Sequence, residues 1–240
     1  ATKEKYNYIL EYFFTMSLAD LNYRLGNAKD TLKHYERALE FESKIDLRYT
    51  SELSLRKGKL MAIFQLQKYE EFIGFTSELI TQYKDTESTY NICSLHALNA
   101  IAYAKLNKEE EANNEINTAI ELAISKGEQN VLVHVATQAG HTNLVLGKKE
   151  EAFGAFNQAI EISSGSDQNV ISNTDKALLY IGLCKSAANV TNEHLEEALK
   201  FTYQSLKEDA SIWWYLNDLV EVVKTSGFNS EHSKTQLDGV

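Results

Sequence analysis

The feature that most constrains this chain is a sentence that recurs about every 40 residues. Its fullest copy is Leu146-Gly147-Lys148-Lys149-Glu150-Glu151-Ala152-Phe153-Gly154-Ala155-Phe156-Asn157-Gln158-Ala159-Ile160. One helix ends at Leu-Gly, and the next opens with acidic residues that suit the positive end of a helix dipole. Ala152, Phe156 and Ala159 then fall at i, i+4, i+7, which is a single helical face. An upstream copy reads Leu106-Asn107-Lys108-Glu109-Glu110-Glu111-Ala112, followed by Ile116, Ala119 and Ile120. The earliest reads Leu25-Gly26-Asn27, followed by Thr31, Tyr35, Ala38 and Leu39. With Thr31, Phe72, Ala112, Ala152 and Ala198 as equivalents, the steps are 41, 40, 40 and 46 residues. A lone hairpin of two helices cannot bury its apolar face, so such units must stack on their neighbours.

The pattern predicts five hairpins over about 4–45, 47–84, 88–127, 130–164 and 168–208. A closing helix follows over 209–226, and its Trp213 and Trp214 read as core residues that cover the last exposed face. The polar stretch 227–240 reads as a loose tail. Proline is absent from all 240 residues. Helices can therefore run without kinks, and the turns fall to Gly, Asn, Asp and Ser.

Charge and motif content narrow the function classes. A net charge of −10 argues against direct nucleic-acid binding, which needs a basic face. No apolar run approaches the roughly 20 residues that span a bilayer, and no signal-peptide pattern opens the chain. Cys93 and Cys184 stand alone and read as buried thiols of a reducing, cytoplasmic compartment. The chain opens on Ala1 rather than Met, which suggests processing or excision from a longer protein. Phosphate loops, GxSxG elbows, HExxH and Cys–His arrangements are all missing, so neither an enzyme nor a cofactor is expected. His134 and His141 are seven apart with no carboxylate between them, a poor metal pair. No metal is expected.

These residues resemble the tetratricopeptide repeat (TPR) family. The fourth repeat carries the pattern best, with Gly140, Gly147, Ala152, Phe156 and Ala159. The third has Ala100, Tyr103, Ala112, Ile116 and Ala119, and the first has Ala19, Gly26, Tyr35 and Ala38. The resemblance covers about residues 4–208. It departs from the family in lacking the proline that closes each second helix, and in a period near 40 rather than 34. Repeats of this longer kind are similar to those of peptide-pheromone receptors in Gram-positive bacteria, of large bacterial transcriptional activators and of kinesin light chains. The resemblance implies an all-α, right-handed superhelix (a solenoid) of about five hairpins plus a capping helix.

It also implies where a partner would sit. In this family the first helix of each pair lines a concave groove that holds a peptide or protein segment. Carried over by register, the groove residues are Phe13, Asp20 and Arg24, then Lys57 and Gln65, then Lys105. The fourth repeat adds His134, Gln138 and His141, and the fifth adds Lys176 and Tyr180. His134, Gln138 and His141 form a polar stripe at i, i+4, i+7 whose amide and imidazole groups suit a peptide backbone. Asn91, Asn99 and Asn143 also lie on first helices, where asparagines of the pheromone receptors hold peptide backbone. The expected function is non-catalytic recognition, as the sensor part of a bacterial cytoplasmic signalling or transcriptional regulator whose output domain lies outside this chain. The alternative is a constitutive scaffold or chaperone adaptor, with Lys57, Lys105 and Lys176 clamping a C-terminal carboxylate. A homodimer is a further expectation, and self-assembly through the closing helix would need Trp213 or Trp214 exposed.

Overall fold

The structure, a computed structural model, describes residues 2–42, 44–45, 52–165, 171–188, 190–208 and 216–226. Their regular structure is entirely helical. Four hairpins follow one another as α1 (Thr2–Arg24) with α2 (Ala28–Glu42), α3 (Glu52–Gln65) with α4 (Tyr69–Tyr83), α5 (Thr89–Lys105) with α6 (Glu109–Lys126), and α7 (Gln129–Val145) with α8 (Lys149–Ser164). A fifth pairs α9 (Asn173–Ser186) with α10 (Asn192–Glu208), and α11 (Leu216–Thr225) closes the series. Trp213, Trp214 and the tail 227–240 lie outside the described residues, as does the start of the second hairpin at 47–51.

The recurring turn explains the period. Gly26, Gln67, Asn107 and Gly147 each follow the leucine that ends a first helix, and each has positive φ, at 74°, 57°, 57° and 77°. After each, the next amide reaches back over six residues: Asn27 N to Asn22 O (2.9 Å), Lys68 N to Ile63 O (3.3 Å), Lys108 N to Tyr103 O (2.9 Å) and Lys148 N to Asn143 O (2.9 Å). That pattern is a Schellman cap, which satisfies carbonyls the helix end would otherwise leave bare. Elsewhere Ser88 and Ser172 cap α5 and α9 by accepting from Asn91 N and Asp175 N.

The chain divides into two compact units, Ala1–Glu115 and Ile116–Val240, with the division inside α6. In the first unit, Tyr12 and Ala19 of α1 pack with Tyr35 and Ala38 of α2 and with Ile45. Phe72 occupies a position where the other repeats carry Thr or Ala, and it is fully buried, with Phe64 edge-on at 5.1 Å.

In the second unit, Ala152, Phe156 and Ala159 of α8 pack with Val133 and Ala136 of α7 and with Leu179 and Leu183 of α9. Phe156 is wedged between two glycines. A Cβ at Gly140 of α7 would lie 2.5 Å from its Cε1, and one at Gly182 of α9 would overlap the ring. The same ring therefore holds its own hairpin and the next. In the last hairpin, Ile181 and Cys184 of α9 join Leu195 and Ala198 of α10 and are covered by Leu219 and Val222 of α11.

Candidate functional site

The polar stripe of α7 is not a solvated wall. His134, Gln138 and His141 are only 5–8% exposed. His134 Nδ1–H donates to Asp175 Oδ1 of α9 at 2.8 Å. Asp175 is itself buried, accepts from Ser172 Oγ at 2.6 Å, and uses its backbone amide to cap on the same hydroxyl at 3.0 Å. His141 Nε2–H donates to the Leu178 carbonyl at 3.2 Å, with its ring edge-on to Phe156 at 5.1 Å. Burial pushes the His141 imidazolium down to a pKa of about 4, against an opposing pull from Asp218. The imidazole is thus neutral and acts as a packed donor. The expectation of an open groove at these three residues is corrected on accessibility. The helical spacing was right, but that face of α7 meets α9. Gln138 Oε1 is buried with no hydrogen-bond partner among the described residues.

Two further groove candidates are likewise turned inward. Asn99 is fully buried and donates to Glu115 Oε1 at 3.5 Å. His96 Nδ1–H donates to the other oxygen of that carboxylate at 2.6 Å. Gln65 is half-buried, and both polar atoms of its amide are inaccessible and without a hydrogen-bond partner among the described residues.

The polar groups that do reach solvent on first helices form a different set. In the first unit, Lys57 of α3 donates to Asn91 Oδ1 of α5 at 2.5 Å, and Asn91 Nδ2 donates to Glu87 Oε2 at 2.8 Å. All three side chains are only partly exposed. Burial lowers the Lys57 pKa, opposed by the field of Glu87. A cation held by an amide oxygen keeps hydrogen-bonding capacity for another acceptor, since an ammonium has three donors. Lys105 lies exposed at the far end of α5. On α1, Phe13, Asp20 and Arg24 are exposed, and Asp20 accepts from the Tyr35 hydroxyl at 2.7 Å. Burial together with that hydrogen bond raises the Tyr35 pKa.

In the second unit, Tyr180 stacks on Phe201 of α10 at 5.8 Å, and the Lys176 ammonium lies 5.2 Å from the same ring. Asn143 is half-buried on α7. Sequence reading missed Asp175, Ser172 and Glu115, which organise the buried polar contacts. It also missed the ion pair of Lys185 with Asp218 at 2.7 Å, which ties α9 to α11. The only signal for Asp175 was Ser-x-x-Asp at a helix start, which reads as a cap. Among the described residues no group of three His, Cys, Asp or Glu could hold a metal, and no helix is long and apolar enough to cross a membrane.

No protein-family model and no curated protein matches the sequence. Solved structures do. A Rap protein complexed with Competence and Sporulation Factor is similar over 90% of this chain and 64% of its own, at 18% identity and a TM-score of 0.55. The Rap conjugation gene regulator of the plasmid pLS20, in complex with the Phr* peptide, is similar over 94% of this chain and 64% of its own, at 14% identity and a TM-score of 0.65. Kinesin light chain TPR-like repeats from Podospora anserina are similar over 82% of this chain and 95% of their own, at 14% identity and a TM-score of 0.51. The fold is therefore that of TPR-repeat proteins, all-α and built of stacked hairpins. The chain spans about 64% of the length of the Rap structures it matches.

Proposed function

We propose that this TPR-like chain binds a linear peptide or protein segment without catalysis, as the sensor part of a bacterial cytoplasmic regulator. Two of the similar structures are Rap proteins with a factor or peptide bound, and that supports a peptide as the ligand class. The observation that carries the site is the Lys57–Asn91 pair, which presents a cation and an amide side by side on successive first helices. An extended peptide offers unpaired carbonyls, amides and a terminal carboxylate, which a Lys and an Asn can each meet. A ligand at this pair bridges α3 and α5, and the angle between neighbouring repeats is the soft coordinate of such an array. Binding would shift the population of repeat angles, which is how a sensor without chemistry passes on its state.

The test is calorimetric titration with synthetic linear peptides of about 5 to 10 residues, each with free and amidated C-termini. Lys57→Ala and Asn91→Ala should each weaken the binding peptide by about 10-fold or more, the range for a hydrogen bond to a charged group. Lys126→Ala, on the exposed end of α6, should not. Unchanged affinity in both variants places the site elsewhere. Sensitivity to amidation alone, with no structural response to the peptide, favours the carboxylate-clamping scaffold over the sensor.

A further inference from the structure

Lys57 is held differently from the other basic groups of its helix. Arg56 and Lys59 of α3 each reach a carboxylate of α2, Glu42 and Glu36, both at 3.5 Å. Lys57 instead meets a neutral group on α5, the Asn91 amide oxygen at 2.5 Å. Asn91 Nδ2 donates in turn to Glu87 Oε2 at 2.8 Å. The two ends fix the amide between them. An ammonium can only donate and a carboxylate can only accept, so the oxygen must point to Lys57 and the nitrogen to Glu87. The backbone of Asn91 is fixed as well, because its N–H donates to the N-cap hydroxyl of Ser88 at 3.3 Å. The result is a short row of set polarity, a cation at one end, an anion at the other and an amide between. All three side chains remain partly open to solvent.

Resting on the peptide-binding reading above, we propose that this row selects a segment with one acidic and one basic side chain two residues apart. The acid meets Lys57, the base meets Glu87, and Asn91 holds the backbone between them. The spacing follows from the row. Its two contacts, with the roughly 2.2 Å between the oxygen and nitrogen of an amide, put the ammonium and the carboxylate within about 7.5 Å of each other. In an extended chain, side chains on the same side recur every two residues, at about 6.6–6.8 Å. Adjacent residues point to opposite sides, and a separation of four residues, about 13 Å, overshoots. Each group of the row keeps capacity for such a segment. Asn91 takes one of the three ammonium N–H donors, and its own amide retains one N–H and one lone pair. Burial holds the Lys57 pKa below the ordinary lysine value despite the opposing field of Glu87, so a carboxylate beside it relieves an existing cost. A segment carrying two charges of one sign sets one of them against its like, which excludes it.

The test is calorimetric titration of the full chain with acetylated, amidated octapeptides of Ser, Thr and Val that carry one Glu and one Lys. With these two residues apart, one of the two orders should bind about 5-fold or more tightly than the same peptide with Gln at both positions. Adjacent placement of the Glu and Lys should lose that gain. Glu87→Gln keeps an acceptor for Asn91, and it should cancel the contribution of the peptide Lys while leaving that of the peptide Glu. Exchanging the ends of the row, Lys57→Glu with Glu87→Lys, should reverse the preferred order while circular dichroism keeps its helical signal. Binding that depends on Lys57 and Asn91 but not on Glu87 or the peptide Lys overturns the inference and leaves the peptide-binding reading in place. A loss on Glu87→Gln that is equal for peptides with and without Lys also overturns it, since the effect is then on the fold. Failure of the whole series to bind overturns it too, and the broader reading falls only if the peptides of its own titration fail as well.

Discussion

His134 of α7 and Asp175 of α9 meet at 2.8 Å in a site closed to solvent, although they are 41 residues apart in the chain. The imidazole of one hairpin is thereby bonded to a first-turn carboxylate of the next, whose backbone amide donates to the N-cap Ser172. Removing one partner leaves the other buried and unpaired, which costs about 1–3 kcal/mol and more when it is charged. His134→Ala should lower stability by about that amount, and Asp175→Ala by more, because the carboxylate accepts from both His134 and the Ser172 hydroxyl. Urea unfolding followed by circular dichroism measures both, and equal stability of the two variants would contradict a contribution from the Ser172–Asp175 side-chain bond.

Phe156 leaves no room beside it. Gly182→Ala puts a methyl group into its ring, and Gly140→Ala crowds the other side. Overpacking of this kind typically costs about 1–3 kcal/mol. Gly74→Ala serves as the control, since a Cβ there meets nothing within 4 Å. In mid-helix that change should instead stabilise by about 0.5–1 kcal/mol. Thermal unfolding of the three variants should order them with Gly182→Ala lowest.

The buried His141 makes stability depend on pH. Its folded pKa is about 4, below the unfolded value of about 6.5. Between these values the unfolded chain binds more protons than the folded one, so stability falls as pH drops from about 6.5 toward 4. Each unit of the gap is worth about 1.4 kcal/mol, for a total on the order of a few kcal/mol. His141→Phe should flatten that part of the profile. A wild-type profile unchanged by the substitution would show that other groups carry the acid sensitivity.

Gln67 takes the turn conformation that Gly26 and Gly147 take, at φ 57°. A non-glycine residue in this left-handed region costs about 1–2 kcal/mol, part of which glycine gives back as chain entropy. Gln67→Gly should therefore stabilise the chain by about 0.5–1 kcal/mol, seen as a melting temperature about 1–4 °C higher.

Cys93 and Cys184 are both buried, and burial pushes the Cys184 thiol up to about 11. Neither should react with a thiol reagent such as Ellman's until the chain is denatured, because the thiolate is the reacting form. Rapid labelling of one thiol in the native state would show that its hairpin opens locally.

The hairpins were legible because their signals are local. The Leu-Gly or Leu-Asn turn needs a residue that tolerates positive φ, and the i, i+4, i+7 stripe needs only helical geometry. Both can be read at Leu146–Ile160 with no knowledge of the rest of the chain. Even Gln67, which breaks the turn's residue preference, was placed correctly by the period. The binding face was less legible. His134, Gln138 and His141 do share one face of α7, as their spacing requires, but spacing cannot say whether a face meets solvent or another helix.

Sequence by itself therefore determined the repeat, its helices, its turns and the small-aromatic-small seam at Ala152, Phe156 and Ala159. Only the tertiary structure decided which polar residues face inward. It placed His134 and His141 against Asp175 and the Leu178 carbonyl, and left Lys57 and Asn91 paired at the surface. The reason is physical. A helix face has a direction that 3.6 residues per turn specify, but its neighbour belongs to another hairpin, and a polar side chain becomes buried only where that neighbour supplies the matching donor or acceptor.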